Sequence, residues 1–234
     1  MKNTLKFAAS LAVIAATSAS AASITGKVKL TGEAPAAREI TPITADKLCG
    51  ALHSKPVMTR TYVVGADKGL ANVAVYIKEG LPAGKTYTAP ATKPLIDQVG
   101  CVYEPFISAA MVGQTVDIKN SDSFMHNVNC QAKINKGFNF AQATKDQVNP
   151  KVFDKPELAV KLICNVHPWM SGYVHVFDHP FFAVTDKDGN FSISGDLPDG
   201  KYTIEANHLK SGLVTGTVEV KGGKAELNLD LAVK

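Results

Sequence analysis

Long helical patterns are absent from this chain: no apolar repeat at helical spacing runs for twelve or more residues, which leaves an all-β sandwich as the fold class. Nucleophile elbow, Gly-rich phosphate loop and H-E-x-x-H pair are missing too. Acyl-transfer, nucleotide and zinc-protease chemistry therefore have no anchor, no catalytic residue is assigned, and the chain is not expected to be an enzyme. Basic residues are scattered and the net charge is only +4, without the clustered stripe that holds nucleic acid. After the first segment no apolar run approaches the roughly 20 residues that cross a bilayer, so no membrane span is expected.

What is present begins with a leader. Lys2 and Lys6 precede an apolar run from Phe7 to Ala16, and small residues follow through Ala19-Ser20-Ala21. This is the pattern of a secretory signal over residues 1 to 22, cleaved near Ala21 or Ala22. It predicts a periplasmic or secreted protein in an oxidising compartment. About 212 residues then remain, enough for one large or two small domains. Short alternating or β-branched runs recur at Ile24 to Leu30, Thr61 to Val64, Val73 to Ile77, Thr115 to Lys119, Leu158 to Ile163 and Gly172 to Phe177. Bounded by Gly, Pro, Asn and Asp, they are predicted strands. A short helix is predicted over Ala45 to Leu52.

The chemistry concentrates in Cys164-Asn165-Val166-His167-Pro168-Trp169-Met170, a C-x2-H-x2-M pattern. A thiolate, two imidazoles and a weak thioether make the donor set of a blue copper site. If Cys164 ends a strand, two residues of turn return His167 beside it, and Met170 comes back as the next strand begins. The remaining imidazole must come from a neighbouring strand. His126 stands 38 residues upstream of Cys164, behind the apolar alternation Val112, Val116, Ile118 and the turn-rich Asn120-Ser121-Asp122-Ser123. The predicted ligands of one copper ion are His126, Cys164, His167 and Met170. Asn127 is placed to hydrogen-bond the thiolate and tie two ligand loops together.

His126-Asn127 with Cys164-x2-His167-x2-Met170 resembles the cupredoxin family, and Pro168 after the histidine makes the loop most similar to those of amicyanin and pseudoazurin. A wider stretch runs from Gly100-Cys101-Val102-Tyr103-Glu104-Pro105 through the ligand loop to His179-Pro180-Phe181-Phe182-Ala183-Val184-Thr185-Asp186. It resembles secreted bacterial cupredoxin-like proteins that carry an adjoining carboxypeptidase-regulatory-like sandwich. The resemblance implies a cupredoxin Greek-key β-sandwich plus a transthyretin-like, or carboxypeptidase-regulatory-like, β-sandwich. In that group a His stands where this chain has Phe106, and Phe106 is not among the assigned ligands.

Other patterns read more plainly. Cys164 and His167 with the H-x3-H pair His175 and His179 resemble part of a zinc finger, but one Cys and a seven-residue linker do not make one. In Tyr173-Val174-His175-Val176-Phe177 the two valines share one face and His175 takes the other. Asp186-x-Asp188-x-Asn190 has Gly189 fourth rather than sixth, which favours a hairpin turn over an EF-hand calcium loop. Asn207-His208 is assigned no role.

The segment Phe182 to Ile193 is predicted to be a hairpin across Asp188-Gly189, followed by Leu197 to Ile204 and two further strands. The regulatory-like resemblance places the first strands of that unit at Ile24 to Gly32 and Leu70 to Lys78. The expected organisation is therefore a split sandwich, residues 23 to 94 and 179 to 234, with a cupredoxin unit of residues 95 to 178 inserted between its halves. With Cys164 assigned to copper, a disulfide is expected between Cys49 and Cys101, since both sit beside Gly in turn-like segments outside the ligand loops; the resemblance agrees. Cys130 is expected to be buried as a small apolar residue, with a fifth-ligand role as the alternative.

The leading function is one-electron transfer with a transient redox protein partner. His167 is expected as the solvent-facing imidazole, and Pro168 and Trp169 as the docking surface. Two other functions stay open. One is a copper carrier or buffer, for which only Met111 and Met125 supplement Met170. The other is a surface binding module with structural copper, although the one Trp of the chain sits in the ligand loop.

Overall fold

Period-two burial builds this molecule, described over residues 22–234 in a computed structural model; the expected leader lies outside those residues apart from Ala22. Strand β1 (Ala22–Thr31) turns Ile24, Val28 and Leu30 inward. Helical turns α1 (Thr41–Ala45) and α2 (Lys47–Gly50) and strand β2 (Ala74–Glu79) follow. Nine strands then run without a helix between them: β3 (Leu95–Val99), β4 (Val102–Glu104), β5 (Ile107–Met111), β6 (Thr115–Asn120), β7 (His126–Gln131), β8 (Phe138–Gln142), β9 (Gln147–Val152), β10 (Glu157–Ile163) and β11 (Ser171–Phe177). The chain ends through β12 (Phe182–Val184), β13 (Asn190–Gly195), β14 (Gly200–His208), β15 (Gly212–Val220), β16 (Lys224–Glu226) and β17 (Leu229–Ala232). The fold is all-β.

Four sheets pack around two principal cores. One sheet has the order β13-β1-β16, with β17 also on β1, and another the order β12-β2-β14-β15. Between them lies a core that includes Ile24, Val28, Ile77, Ile193 and Ile204. Strands from both ends of the chain thus share one core, with Ile24 opposite Ile193 in the β1–β13 ladder. The sheets β4-β3-β6-β9 and β5-β11-β10-β7-β8 surround the second core, which includes Ile96, Ile118, Val128, Leu162 and Val174. Each fully buried Ile, Val or Leu stabilises by about 1.5–3 kcal/mol relative to exposure. A smaller cluster of Ala74, Tyr76 and Phe177, with Ala109 and Phe182 against it, joins the two sets of sheets.

Several local expectations change. Thr61 to Val64 is not a strand; only Val64 bridges, to Leu70, around a tight turn that begins at Gly65. The helix over Ala45 to Leu52 is instead two turns broken at Asp46, whose backbone is extended and whose side-chain carboxylate caps the second turn by accepting from the N–H groups of Leu48 and Cys49. The expected hairpin from Phe182 to Ile193 is a crossover. Its turn forms, with the Asp186 carboxylate accepting from the backbone of Asp188 and Asn190, so that carboxylate is satisfied without a cation. The flanking strands, however, pair in different sheets, β12 with β2 and β13 with β1. Thr185 causes the split: its N–H donates to Val73 O and its hydroxyl to Leu70 O, while the carbonyl of Gly189 accepts from Val28.

Gly189 is held at φ +80, and a Cβ there would stand 2.4 Å from Val28 O and 2.7 Å from Leu70 N. Gly113, at φ +79, has nothing within 4 Å of its Cβ position. Both replacements by Ala carry the left-handed strain, but only Gly189→Ala also forces backbone apart. Gly189→Ala is expected to cost roughly 2 kcal/mol more than Gly113→Ala, read from urea unfolding of the two variants. Equal midpoints would show that the crossover does not depend on this close approach.

Candidate metal centre

The antiparallel pairing of β7 with β10 decides which side chains meet. Ile163 lies opposite Asn129 and Leu162 opposite Cys130, so the start of β7 runs beside the end of β10, where Cys164 leaves the sheet. In β7 the burial pattern alternates, and His126, Val128 and Cys130 turn into the core. Beyond Cys164 the chain closes a tight loop, with Met170 N–H donating to His167 O at 2.9 Å and Cys164 N–H to Met170 O at 3.3 Å. His167 is thereby returned beside Cys164, and Met170, fully buried, packs in the same core cluster.

A ring nitrogen of His126, one of His167 and the Cys164 sulfur lie within 4.8 Å of one another, all buried. The Nδ1 atoms of His126 and His167 face each other at 3.0 Å, and Cys164 Sγ is 3.8 Å from His167 Nδ1. Two ring nitrogens so placed require a proton or a cation between them. The sulfur accepts from the backbone N–H groups of Asn127 (3.3 Å) and His167 (3.4 Å). Burial alone pushes the Cys164 thiol up, but the His126 contact and these N–H groups outweigh it and hold the thiol below its ordinary value. Thiolate, two imidazoles and an adjoining thioether fit copper by their chemistry.

Asn127, on the outer side of β7, also clasps the loops: its Oδ1 accepts from Asn165 N–H and its Nδ2 donates to Asn139 and Phe140. Cys49 and Cys101 form a disulfide. Cys130 is free and buried, its thiol pushed up to about 11 by burial, and it stands outside the donor clusters of the described residues. Phe106 lies under the Arg60 guanidinium, 4.7 Å from it, and edge-on to Tyr173.

The expectation of a solvent-facing His167 is corrected. His167 is 7% exposed and His126 0%. Disulfide sulfurs lie within 4.8 Å of a His167 ring nitrogen, and the rings of Trp169 and Phe124 stand 5.2 and 6.2 Å from its centroid. Those groups cover the imidazole edge. Pro168 is exposed, whereas Trp169 is half-buried and donates from its indole to Cys101 O at 3.2 Å.

Two supporting residues escaped the sequence reading. Asp122, 5% exposed, accepts from His126 Nε2 at 2.8 Å and from the N–H groups of Gly100 (2.8 Å) and Cys101 (2.9 Å). A metal-bound histidine commonly gives its second N–H to a carboxylate, and an Asp four residues before His126 was the available signal. Tyr103, fully buried, donates its hydroxyl to Asn127 O and Ile163 O, bridging the two ligand-bearing strands. Nothing in its sequence neighbourhood marks that role.

Burial would raise the Asp122 carboxyl, but His126 and the two backbone donors bring it below its ordinary 3.8. Burial would lower His126, but Asp122 and then Cys164 raise it above 6.5. The stabilisation from Asp122 is therefore present above pH 3.8 and lost as pH falls through the depressed value, and that from His126 is full below pH 6.5 and lost as pH rises through the raised value. In metal-free protein Asp122→Asn should cost roughly 2–3 kcal/mol between these limits and progressively less outside them, as urea midpoints measured against pH would show. A cost independent of pH would mean that the pair does not act through its charges.

No family model matches the sequence, and no curated protein does. Among solved structures the chain is similar to a Cu-containing nitrite reductase from Thermus scotoductus SA-01, with 22% identity and a TM-score of 0.35 over 42% of this chain but only 25% of the reductase. It is similar to a novel purple cupredoxin from Nitrosopumilus maritimus, 27% identical with a TM-score of 0.31, over 36% of this chain and 99% of that one. An oxidised amicyanin variant is 20% identical with a TM-score of 0.33, over 44% of this chain and 97% of that one.

Proposed function

We propose that this chain is a periplasmic or secreted type 1 copper protein that carries single electrons, and is not an enzyme. The observation that carries the reading is the buried convergence of His126, His167 and Cys164, with the sulfur held by two backbone N–H groups. On this reading residues 95 to 178 are a cupredoxin unit set into a regulatory-like sandwich built by both chain ends. Its ligands are His126, Cys164, His167 and Met170. Copper bound there supplies a Cu(II)/Cu(I) couple.

The chain supplies the rest. Asn127 and His167 favour the anionic form of the sulfur through their backbone donors. Asp122 holds the His126 ring so that Nδ1 points at the site, and the surrounding core limits ligand movement between oxidation states. The disulfide between Cys49 and Cys101 suits an oxidising compartment, and no helix of the described residues is long and apolar enough to cross a membrane. A transient redox partner would dock on the apolar surface around the loop. Pro168 and the side chains of Val166 and Met125, 45% and 46% exposed, offer it a small contact area, with Trp169 half-buried at its edge.

The visible spectrum of the copper-loaded, oxidised protein tests this reading. An intense sulfur-to-copper band is expected. Cys164→Ser should abolish the band while the β-sheet circular dichroism persists, whereas Met170→Leu should keep the band and shift the reduction potential. A colourless wild-type protein after Cu(II) loading would refute the type 1 assignment.

A further inference from the structure

A cleft of about 360 Å³ opens beside the ligand loop, between Trp169 and the turn that joins β14 to β15. Its walls include the rings of Phe106, Trp169 and Tyr173 and the cationic side chains of Arg60 and Lys210. Among the described residues no carboxylate lines it, although Arg60 is ion-paired with Glu104. Phe106 and Tyr173 meet edge to face with centroids 5.6 Å apart, and the Arg60 guanidinium lies 4.7 Å over Phe106. Arg60 donates from Nη1 to Glu104 and from Nη2 to Tyr103 O, which uses two of its five N–H donors. Lys210 is exposed at the mouth. The aromatic walls favour a flat π-system, and Lys210, with the Arg60 donors that Glu104 and Tyr103 leave free, favours a negative charge at its edge. The volume suits a molecule of one or two rings.

We propose that this cleft is a binding site for a small aromatic carboxylate, its ring among Phe106, Trp169 and Tyr173 and its carboxylate toward Arg60 and Lys210. The site is formed by side chains of the segment from Thr59 to Thr61, the segment before β5, the ligand loop, β11 and the β14–β15 turn, and does not require the metal. It does touch the metal centre: the Trp169 ring that lines it stands 5.2 Å from His167. A ligand held there presses on the residue packed against a copper ligand. If the copper reading is also right, occupancy will shift the visible band of the loaded protein.

Trp169 is the sole tryptophan of the chain, so tryptophan emission reports the surroundings of this one ring, which lines the cleft. Benzoate titrated into the full metal-free chain is expected to bind one molecule per chain, with a dissociation constant on the order of 100 µM, and to change Trp169 emission along the calorimetric isotherm. Lys210→Glu, at an exposed turn, and Phe106→Leu should each weaken binding roughly tenfold or more, as should replacing benzoate by benzyl alcohol or by cyclohexanecarboxylate. Absence of heat and emission change up to about 10 mM benzoate would overturn the proposal. So would either variant, or either uncharged or non-aromatic analogue, binding as tightly as benzoate binds the wild type. Because the titration needs no copper, its failure leaves the metal assignment standing, and a failed copper assignment leaves the titration standing.

Discussion

The buried Asp122 carboxylate is the constraint around which the metal centre is arranged. One oxygen accepts from His126 and from Cys101 N–H, the other from Gly100 N–H. A buried carboxylate is tolerable only when such donors surround it. Asp122 therefore cannot move without releasing three groups at once. It joins His126 to the disulfide-bonded turn, two parts of the chain that share no strand. Its own position comes from Asn120, fully buried, whose Oδ1 accepts from Asp122 N–H and whose Nδ2 donates to Phe124 O and Gln142 O. A polar network of this kind, satisfied throughout, gives a single geometry to a loop that apolar packing would leave with several.

The disulfide turn extends that constraint to the other imidazole. Cys101 N–H is held by Asp122, Cys101 O accepts from Trp169, and its sulfur stands against His167. The consequence is an enclosed centre in which neither histidine meets solvent freely. Enclosure lowers the local dielectric and strengthens the contacts to Cys164. It also means that the centre is approached through covering side chains rather than at a bare ring edge. On the opposite side, Tyr103 locks the strands carrying His126 and Cys164 to each other through their carbonyls, and its phenol is pushed well above its usual range by burial.

The seam between the two sets of sheets is aromatic. Phe177 packs 4.7 Å from Tyr76 and 4.8 Å from Phe182, and His179 contacts Ile77 O at 2.8 Å. This seam explains His175. Val174, His175, Val176 and Phe177 are all buried, because β11 has a core on one face and the seam beside the other. Burial pushes His175 down to about 4, so it sits there as a neutral ring stacked toward Phe177. The strand that follows Met170 and the strand that enters the other pair of sheets, β12, are only a few residues apart, with Phe177 anchoring the passage between them.

Much of this was legible in the residues, and the reason is local. Strands such as Thr115–Asn120 and His126–Gln131 follow from period-two alternation. The Cys164, His167 and Met170 cluster follows from a loop too short to take them far apart, and Asn127 follows from standing next to His126. The pairing of Cys49 with Cys101 was readable from their turn-like settings and the family resemblance. The hairpin after Val184 was misread because a turn signal specifies the turn and not the sheets its arms join. Asp122 and Tyr103 act across the chain, 21 residues from Cys101 and 60 residues from Ile163, where no pattern links donor to acceptor. The exposure of His167 depended on Trp169 of its own loop and on Phe124 and the Cys49–Cys101 disulfide arriving from three other segments. Sequence by itself determined that Cys164, His167 and Met170 share one tight loop, since short spacing confines those side chains; tertiary structure alone decided that His126 meets them and what covers and orients the cluster, because burial and hydrogen bonding at that distance are properties of packed sheets.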